Sequence, residues 1–207
     1  MPKTDDYVNA RGIARETLRV KKPEDIAAYA GGRLDVASGK KSIIIDLLNR
    51  QVGISWPEGV VRYREEVGEP SLQEQVSILH YLSHSTEASP GGRMITFREI
   101  PSGDFYYEPF RKRAQLPLVS TFGPAPEQLL TVGEKLGGKK ADIGDVAMTF
   151  PLFPKVPITL VLWRGDAEFA PEGNILYDAS VGEFFNAEEI AFLSGNLIYK
   201  LMALARG

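Results

Sequence analysis

Residues 150–180 constrain the fold most. They read Phe-Pro-Leu-Phe-Pro-Lys-Val-Pro-Ile-Thr-Leu-Val-Leu-Trp-Arg-Gly-Asp-Ala-Glu-Phe-Ala-Pro-Glu-Gly-Asn-Ile-Leu-Tyr-Asp-Ala-Ser. The stretch at 158–163 is the most apolar run in the chain and reads as a buried strand. It is far too short to cross a bilayer. Arg164-Gly165 then turns the chain, and residues 174–177 read as a second strand. A strand this apolar needs cover on both faces, so the segment is expected at the centre of a sheet. Three prolines between 150 and 158 are expected to keep that connection extended.

The rest of the chain supplies the helices and the other strands. Residues 5–20 place Tyr7, Val8, Ile13, Ala14 and Leu18 at helical spacing, with Thr4 as a cap. Pro23 suits the first turn of a second helix, which the Gly31-Gly32 pair should end. Three short β-branched runs at 42–47, 51–55 and 60–63 are separated by turn residues and predict an antiparallel meander. Ser71-Leu72-Gln73-Glu74 is a capping box opening a helix to about His84. Residues 93–100 alternate as a strand does, 103–113 are aromatic-rich and read as helix, and 126–136 form another helix. Residues 145–150 read as a strand, and Asn186 with Glu189 caps a terminal helix through 205. Strands and helices are grouped rather than strictly alternating. The expected class is α+β, with a mainly antiparallel sheet flanked by helices. One domain over 1–207 is expected, with a helical lead at 5–32 and a mixed body at 40–205.

Composition removes several functions. There is no cysteine, which excludes disulfides, thiolate catalysis, cysteine zinc sites and clusters held on cysteine. A net charge of −3 argues against nucleic acid as a partner. Residues 1–15 lack the apolar core of a signal peptide, and no run is long enough for a membrane span, so a soluble, cytoplasmic protein is expected. The phosphate loop, the dinucleotide glycine fingerprint and the nucleophile elbow are all missing.

What remains are three constellations. His80 and His84 lie four apart on one helix, as metal or tetrapyrrole ligands can. His80 borders the apolar face, and the plainer reading is one half-buried and one surface histidine. Arg98 and Glu99 precede the aromatic cluster Phe105, Tyr106, Tyr107 and Phe110, which could hold an anionic ligand over an aromatic platform. The plainer reading there is a core-facing aromatic helix with a solvated basic end. Asp166 and Glu168, two apart after Trp163, are candidates for an acid–base pair, or with Asp178 for hard-cation ligands. Carboxylates at a strand end more often cap backbone amides or pair with arginine.

Three ordered stretches carry a family resemblance. They are Ile78-Leu79-His80-Tyr81-Leu82, then Ile95-Thr96-Phe97-Arg98-Glu99-Ile100-Pro101-Ser102-Gly103-Asp104-Phe105-Tyr106, then Leu162-Trp163-Arg164-Gly165-Asp166-Ala167-Glu168-Phe169 with Ile175-Leu176-Tyr177-Asp178-Ala179-Ser180. The chain resembles the prokaryotic family catalogued as domain of unknown function 3786. The resemblance implies an anaerobe-associated bacterial or archaeal source, with relatives joined to iron–sulfur modules or found near corrinoid-dependent methyl-transfer systems. It carries no activity, and it puts emphasis on His80, Arg98, Glu99, Trp163, Asp166 and Glu168 as a shared site.

The expected function is a non-catalytic ligand-binding or accessory domain. Its ligand residues would be His80, Arg98, Glu99, Tyr106 and Trp163, its metal candidates His80 and His84, and its cofactor class a tetrapyrrole or corrinoid. A protein partner, a small-molecule ligand or a homodimer fits the same reading. The alternative is a small hydrolase or lyase using Asp166 and Glu168.

Overall fold

The computed structural model describes residues 4–65 and 68–207. The chain folds into two compact units. The first takes the described residues up to Ser89 together with Phe153–Lys155 and Glu183–Phe185; the second takes Pro90–Leu152, Val156–Gly182 and Asn186–Gly207.

In the first unit, α1 (Thr4–Arg19) and α2 (Pro23–Tyr29) lead into a four-stranded antiparallel meander. Its strands are β1 (Arg33–Ala37), β2 (Lys40–Leu47), β3 (Arg50–Trp56) and β4 (Val61–Tyr63), ordered as they occur in the chain. The three predicted strands are present; β1 adds a fourth. Alternation puts Ile43, Ile45, Val52, Ile54 and Val61 on one face, and all are buried. The other face carries Arg33, Asp35, Asp46 and Gln51, joined by hydrogen bonds from Arg33 Nη2 to Gln51 Oε1 (3.1 Å) and from Gln51 Nε2 to Asp46 Oδ1 (3.2 Å).

The predicted capping box starts α3 (Leu72–His84): Glu74 N–H donates to Ser71 Oγ and Ser71 N–H to the Glu74 carboxylate. From Gln75 to Ser83 every residue of α3 is buried except His80. Tyr81 is the hub. Its ring stacks on Phe153 with centroids 4.5 Å apart and lies against Phe184 and Phe185. Its hydroxyl donates to the Ala30 carbonyl (2.9 Å) and accepts from Lys155 N–H (3.2 Å).

The second unit is built on β5 (Met94–Thr96), β6 (Lys139–Ala141), β7 (Val146–Phe153), β8 (Val156–Trp163) and β9 (Glu172–Asp178), in the order β5-β9-β8-β7-β6. The apolar run is thus the central strand, β8, with Leu160, Val161 and Leu162 at 0% exposure. Both sheets are antiparallel, and the class is α+β as expected.

Two local expectations need correction. The strand read at 93–100 stops at Thr96. The Glu99 carboxylate accepts from Thr96 N–H (2.7 Å) and Thr96 Oγ1 (2.9 Å), folding Phe97–Glu99 into a 3₁₀ turn. The prolines near 154 do not hold an extended connection either. Pro151 lies in β7 and Pro157 in β8, with the reversal at Pro154-Lys155. Proline tolerates these strand positions because the outer neighbours have ended. β6 pairs β7 only as far as Thr149, and β9 pairs β8 only from Ile158.

Helices α4 (Gly103–Phe110), α5 (Leu116–Phe122), α6 (Glu127–Glu134) and α7 (Ala187–Ala205) complete this unit. A π-helical turn, Arg111–Gln115, joins α4 to α5. Pro117 has no N–H to give the Arg113 carbonyl, so the usual ladder is broken there, and Leu116 N–H bonds five residues back to Arg111. The core of the unit includes Phe97 stacked on Phe110 at 4.1 Å, and Tyr177, whose hydroxyl meets Ser194 Oγ of α7 at 2.6 Å.

Candidate functional site

The predicted site residues fall into three places. His80 and His84 belong to the first unit. Their ring centroids are 5.8 Å apart and the rings are tilted by 58°. His80 is half-buried and His84 exposed, which is the plainer of the two readings of this pair. Among the described residues no group of three or more His, Cys, Asp or Glu is placed to hold a metal ion.

In the second unit, Arg98, Glu99 and Tyr106 gather around the start of α4. The Arg98 guanidinium lies 3.9 Å above the Tyr107 ring and donates to Asp104 Oδ1 (3.4 Å). Arginine does sit over an aromatic face, but the ring is Tyr107 and the counter-ion is the chain's own Asp104. The hydrogen bonds from Thr96, the backbone N–H first, hold the Glu99 carboxyl below its ordinary range. Tyr106 donates to Glu188 Oε2 of α7 (3.3 Å), and the charge of Glu188 raises its phenol. Phe105 projects from this region at 81% exposure.

Trp163, Asp166 and Glu168 form the third group. Trp163 ends β8 opposite Glu172 and is 40% exposed. The next residue, Arg164, is fixed twice: its N–H donates to Asp145 Oδ2 (2.8 Å) and its guanidinium forks onto the Glu127 carboxylate. Asp166 then closes the turn. Its Oδ1 accepts from both Glu168 N–H and Phe169 N–H at 2.8 Å, while its own N–H donates to the Phe169 carbonyl (2.9 Å). These two backbone donors hold the Asp166 carboxyl below the ordinary aspartate value. Glu168 therefore meets Asp166 through its backbone N–H. An open cleft of about 390 Å³ runs between this loop and the end of α5, lined by Gly123, Pro124, Gly165, Asp166, Glu168 and Phe169. Among the described residues no hydrogen bond or ion pair joins Arg98 or Glu99 to Asp166 or Glu168.

Two features went unread in the sequence. One is Asp178, weighed only as a cation ligand. It is 7% exposed and accepts from Gly92 N–H (2.7 Å), Ser180 N–H (3.0 Å) and Ser180 Oγ (2.7 Å). Burial pushes this carboxyl up, but the donors outweigh burial and the net direction is down. The spacing Asp-x-Ser was a legible signal for such a turn. The other is an apolar groove of about 400 Å³ where α5 meets α7, lined by Leu116, Pro117, Val119, Tyr199 and Met202 with Lys112 at its rim. Its only sequence signal is Tyr199 and Met202, three apart on the terminal helix.

Among the described residues no helix is long and apolar enough to cross a membrane. No curated protein matches the chain, and no solved structure does. One family model does match, over residues 22–200, and its description is a domain of unknown function, DUF3786. That span takes in all three motif stretches and most of both units, and the chain belongs to the DUF3786 family.

Proposed function

We propose that this chain is a non-catalytic binding or accessory domain, acting in the cytoplasm on a small-molecule ligand or a protein partner. One observation carries the reading. Most charged side chains at the motif positions serve the chain itself; Glu168, which is exposed and bonds Asp166 through its backbone N–H, is the exception. Glu99 caps a turn, Arg98 covers Tyr107, Arg164 is tied to Glu127, and Asp166 and Asp178 gather backbone amides. What these positions offer outward is aromatic surface: Trp163, Phe169 at 70% exposure and Phe105. Such side chains bind well without reacting. The lowered carboxyl of Asp166 weighs against that residue as the acid of the acid–base alternative, because a general acid needs a raised carboxyl.

The setting that the resemblance implies, corrinoid or redox metabolism in anaerobes, names the ligand class to test first. Titration of the purified chain with hydroxocobalamin and with haem should give a saturable change in the visible spectrum. His80→Ala should abolish it and the exposed His84→Ala should retain it. A flat titration with both removes the tetrapyrrole version.

A second experiment addresses the alternative. Asp166→Asn keeps the accepting oxygen and should leave the melting temperature nearly unchanged, whereas Asp166→Ala frees two amides and should lower it slightly. Any hydrolase or lyase activity found by screening should survive both. Activity abolished by Glu168→Gln at an unchanged melting temperature would restore the enzyme reading.

A further inference from the structure

Among the described residues the two sheets end in four edge strands: β1, β4, β5 and β6. An open edge is a row of unpaired main-chain groups, and proteins commonly blunt it by making the strand short or charged. β4, β5 and β6 are each three residues long, and β6 also carries Lys139 and Lys140. β1 is different. It runs for five residues, Arg-Leu-Asp-Val-Ala, contains no proline, and leaves Val36 61% exposed.

The direction of its free groups follows from the hairpin. Ser38 (φ 51°) and Gly39 (φ 75°) form a two-residue turn of the type that matches strand twist. Ala37 and Lys40 flank it and are register partners. Residues flanking such a turn exchange both main-chain hydrogen bonds, and these pairs then alternate along the ladder. Ala37, Asp35 and Arg33 therefore bond to β2, while Leu34 and Val36 turn their N–H and C=O groups to the open edge.

We propose that β1 pairs antiparallel with β1 of a second copy of this chain. A two-fold axis through Leu34 would join the two four-stranded sheets into one. Charge complementarity points to a second copy, in this register rather than one centred on Arg33 or Asp35. On the polar face Arg33 comes opposite Asp35 of the other copy, twice by symmetry, an attractive cross-strand pair that adds to the bond Asp35 accepts from Arg64 Nη1 of its own chain (2.9 Å). On the apolar face Leu34 meets its own counterpart, and the exposed Val36 lies opposite Gly32, whose N–H is already given to the Ala27 carbonyl (2.8 Å), so the full pair of main-chain bonds falls at Leu34. Moving the axis to Asp35 would set two aspartates opposite each other, which is unfavourable. The pairing is isologous, so it closes at a dimer.

The test uses the full chain. Light scattering should give twice the 22.8 kDa chain mass as concentration rises. Val36→Glu puts a charge on the edge opposite Lys41 of β2, an attractive pair within the hairpin, and should return the mass to that of one chain, with the circular dichroism spectrum unchanged. The chain has no cysteine, so single cysteines report the register. Opposed residues at a hydrogen-bonded pair have Cα atoms about 5.5 Å apart, inside the disulfide range of about 4.4–6.8 Å. Leu34→Cys should therefore give a disulfide-linked dimer on mild oxidation. Val36→Cys, though more exposed, should give much less because it faces glycine. Random collision would reverse that order. A mass of one chain at every concentration, or cross-linking through Val36→Cys equal to or above that through Leu34→Cys, overturns the proposal. If Val36→Glu fails to fold, the two cysteine variants decide it alone.

Discussion

Asp178→Ala should lower the stability of the chain by about 3 kcal/mol in urea unfolding, with no change in ligand binding at the candidate positions. A hydrogen bond to a charged group contributes about 1.5–3 kcal/mol, and a buried donor left alone costs about 1–3 kcal/mol. Here one almost wholly buried carboxylate satisfies Gly92 N–H, Ser180 N–H and Ser180 Oγ. The loss is therefore larger than that of a single bond and smaller than the sum, because the glycine loop can take up water. Asp178→Asn should fall between, since an amide keeps one accepting oxygen. The effect depends on pH with a definite sign. The folded carboxyl is held below the unfolded aspartate value of about 3.9, so its contribution is complete above that pH and is lost as pH falls through the lower folded value. Glu24, Glu99, Glu127 and Asp166 are also lowered and add to the acid limb. The share that belongs to Asp178 is the part of the slope below about pH 4 that Asp178→Asn removes. A slope identical in the two proteins would show that the carboxylate is not what holds the Gly92 turn.

Elements set by local chemistry were legible in the sequence. Ser71 with Glu74, and Asn186 with Glu189, mark two capping boxes, and each is formed with the expected reciprocal bonds. The apolar run at 158–163 was legible as a central strand because burial on both faces removes alternation. One miss depends on a partner distant in sequence, the other on a local Thr-x-x-Glu signal that the alternation hid. Arg33-Leu34-Asp35-Val36 alternates well, yet it becomes a strand only because β2 pairs with it. Phe97-Arg98-Glu99 alternates equally well and is not a strand, because a carboxylate three residues on reaches back to Thr96. Periodicity says which faces a segment can present; it does not say whether a neighbour is there to pair. The candidate site shows the same limit. Residue types such as Arg98 and Asp166 are suited to chemistry, but whether their charges are already spent on Asp104 or on backbone amides is a property of the folded turn.

Ser102-Gly103 carries the other large effect. A glycine after Pro-Ser invites the view that it supplies a left-handed backbone. The left-handed residue is instead Ser102 (φ 64°), and Gly103 is the first residue of α4. Glycine is required at 103 for space. A Cβ there would lie 2.1 Å from the Phe97 carbonyl oxygen and 3.1 Å from its carbon, against backbone that no rotamer change can clear. Gly103 N–H also donates to the Ile100 carbonyl (2.7 Å), so the 3₁₀ turn and the helix start are locked together. Gly103→Ala should therefore cost at least about 3 kcal/mol, the upper end of overpacking penalties. It should also disturb Phe97, whose ring stacks on Phe110 beneath α4, and this should appear as a changed near-ultraviolet spectrum. Ser102→Gly makes the opposite test. It relieves a left-handed non-glycine residue whose side chain makes no capping bond, and should change stability by less than about 1 kcal/mol. If conformation rather than space were the reason for glycine in this motif, the order of the two effects would be reversed. Arg98 follows Phe97 and lies over Tyr107, so Gly103→Ala should also weaken any ligand held at Arg98 and Tyr106, whereas Ser102→Gly should leave such binding intact.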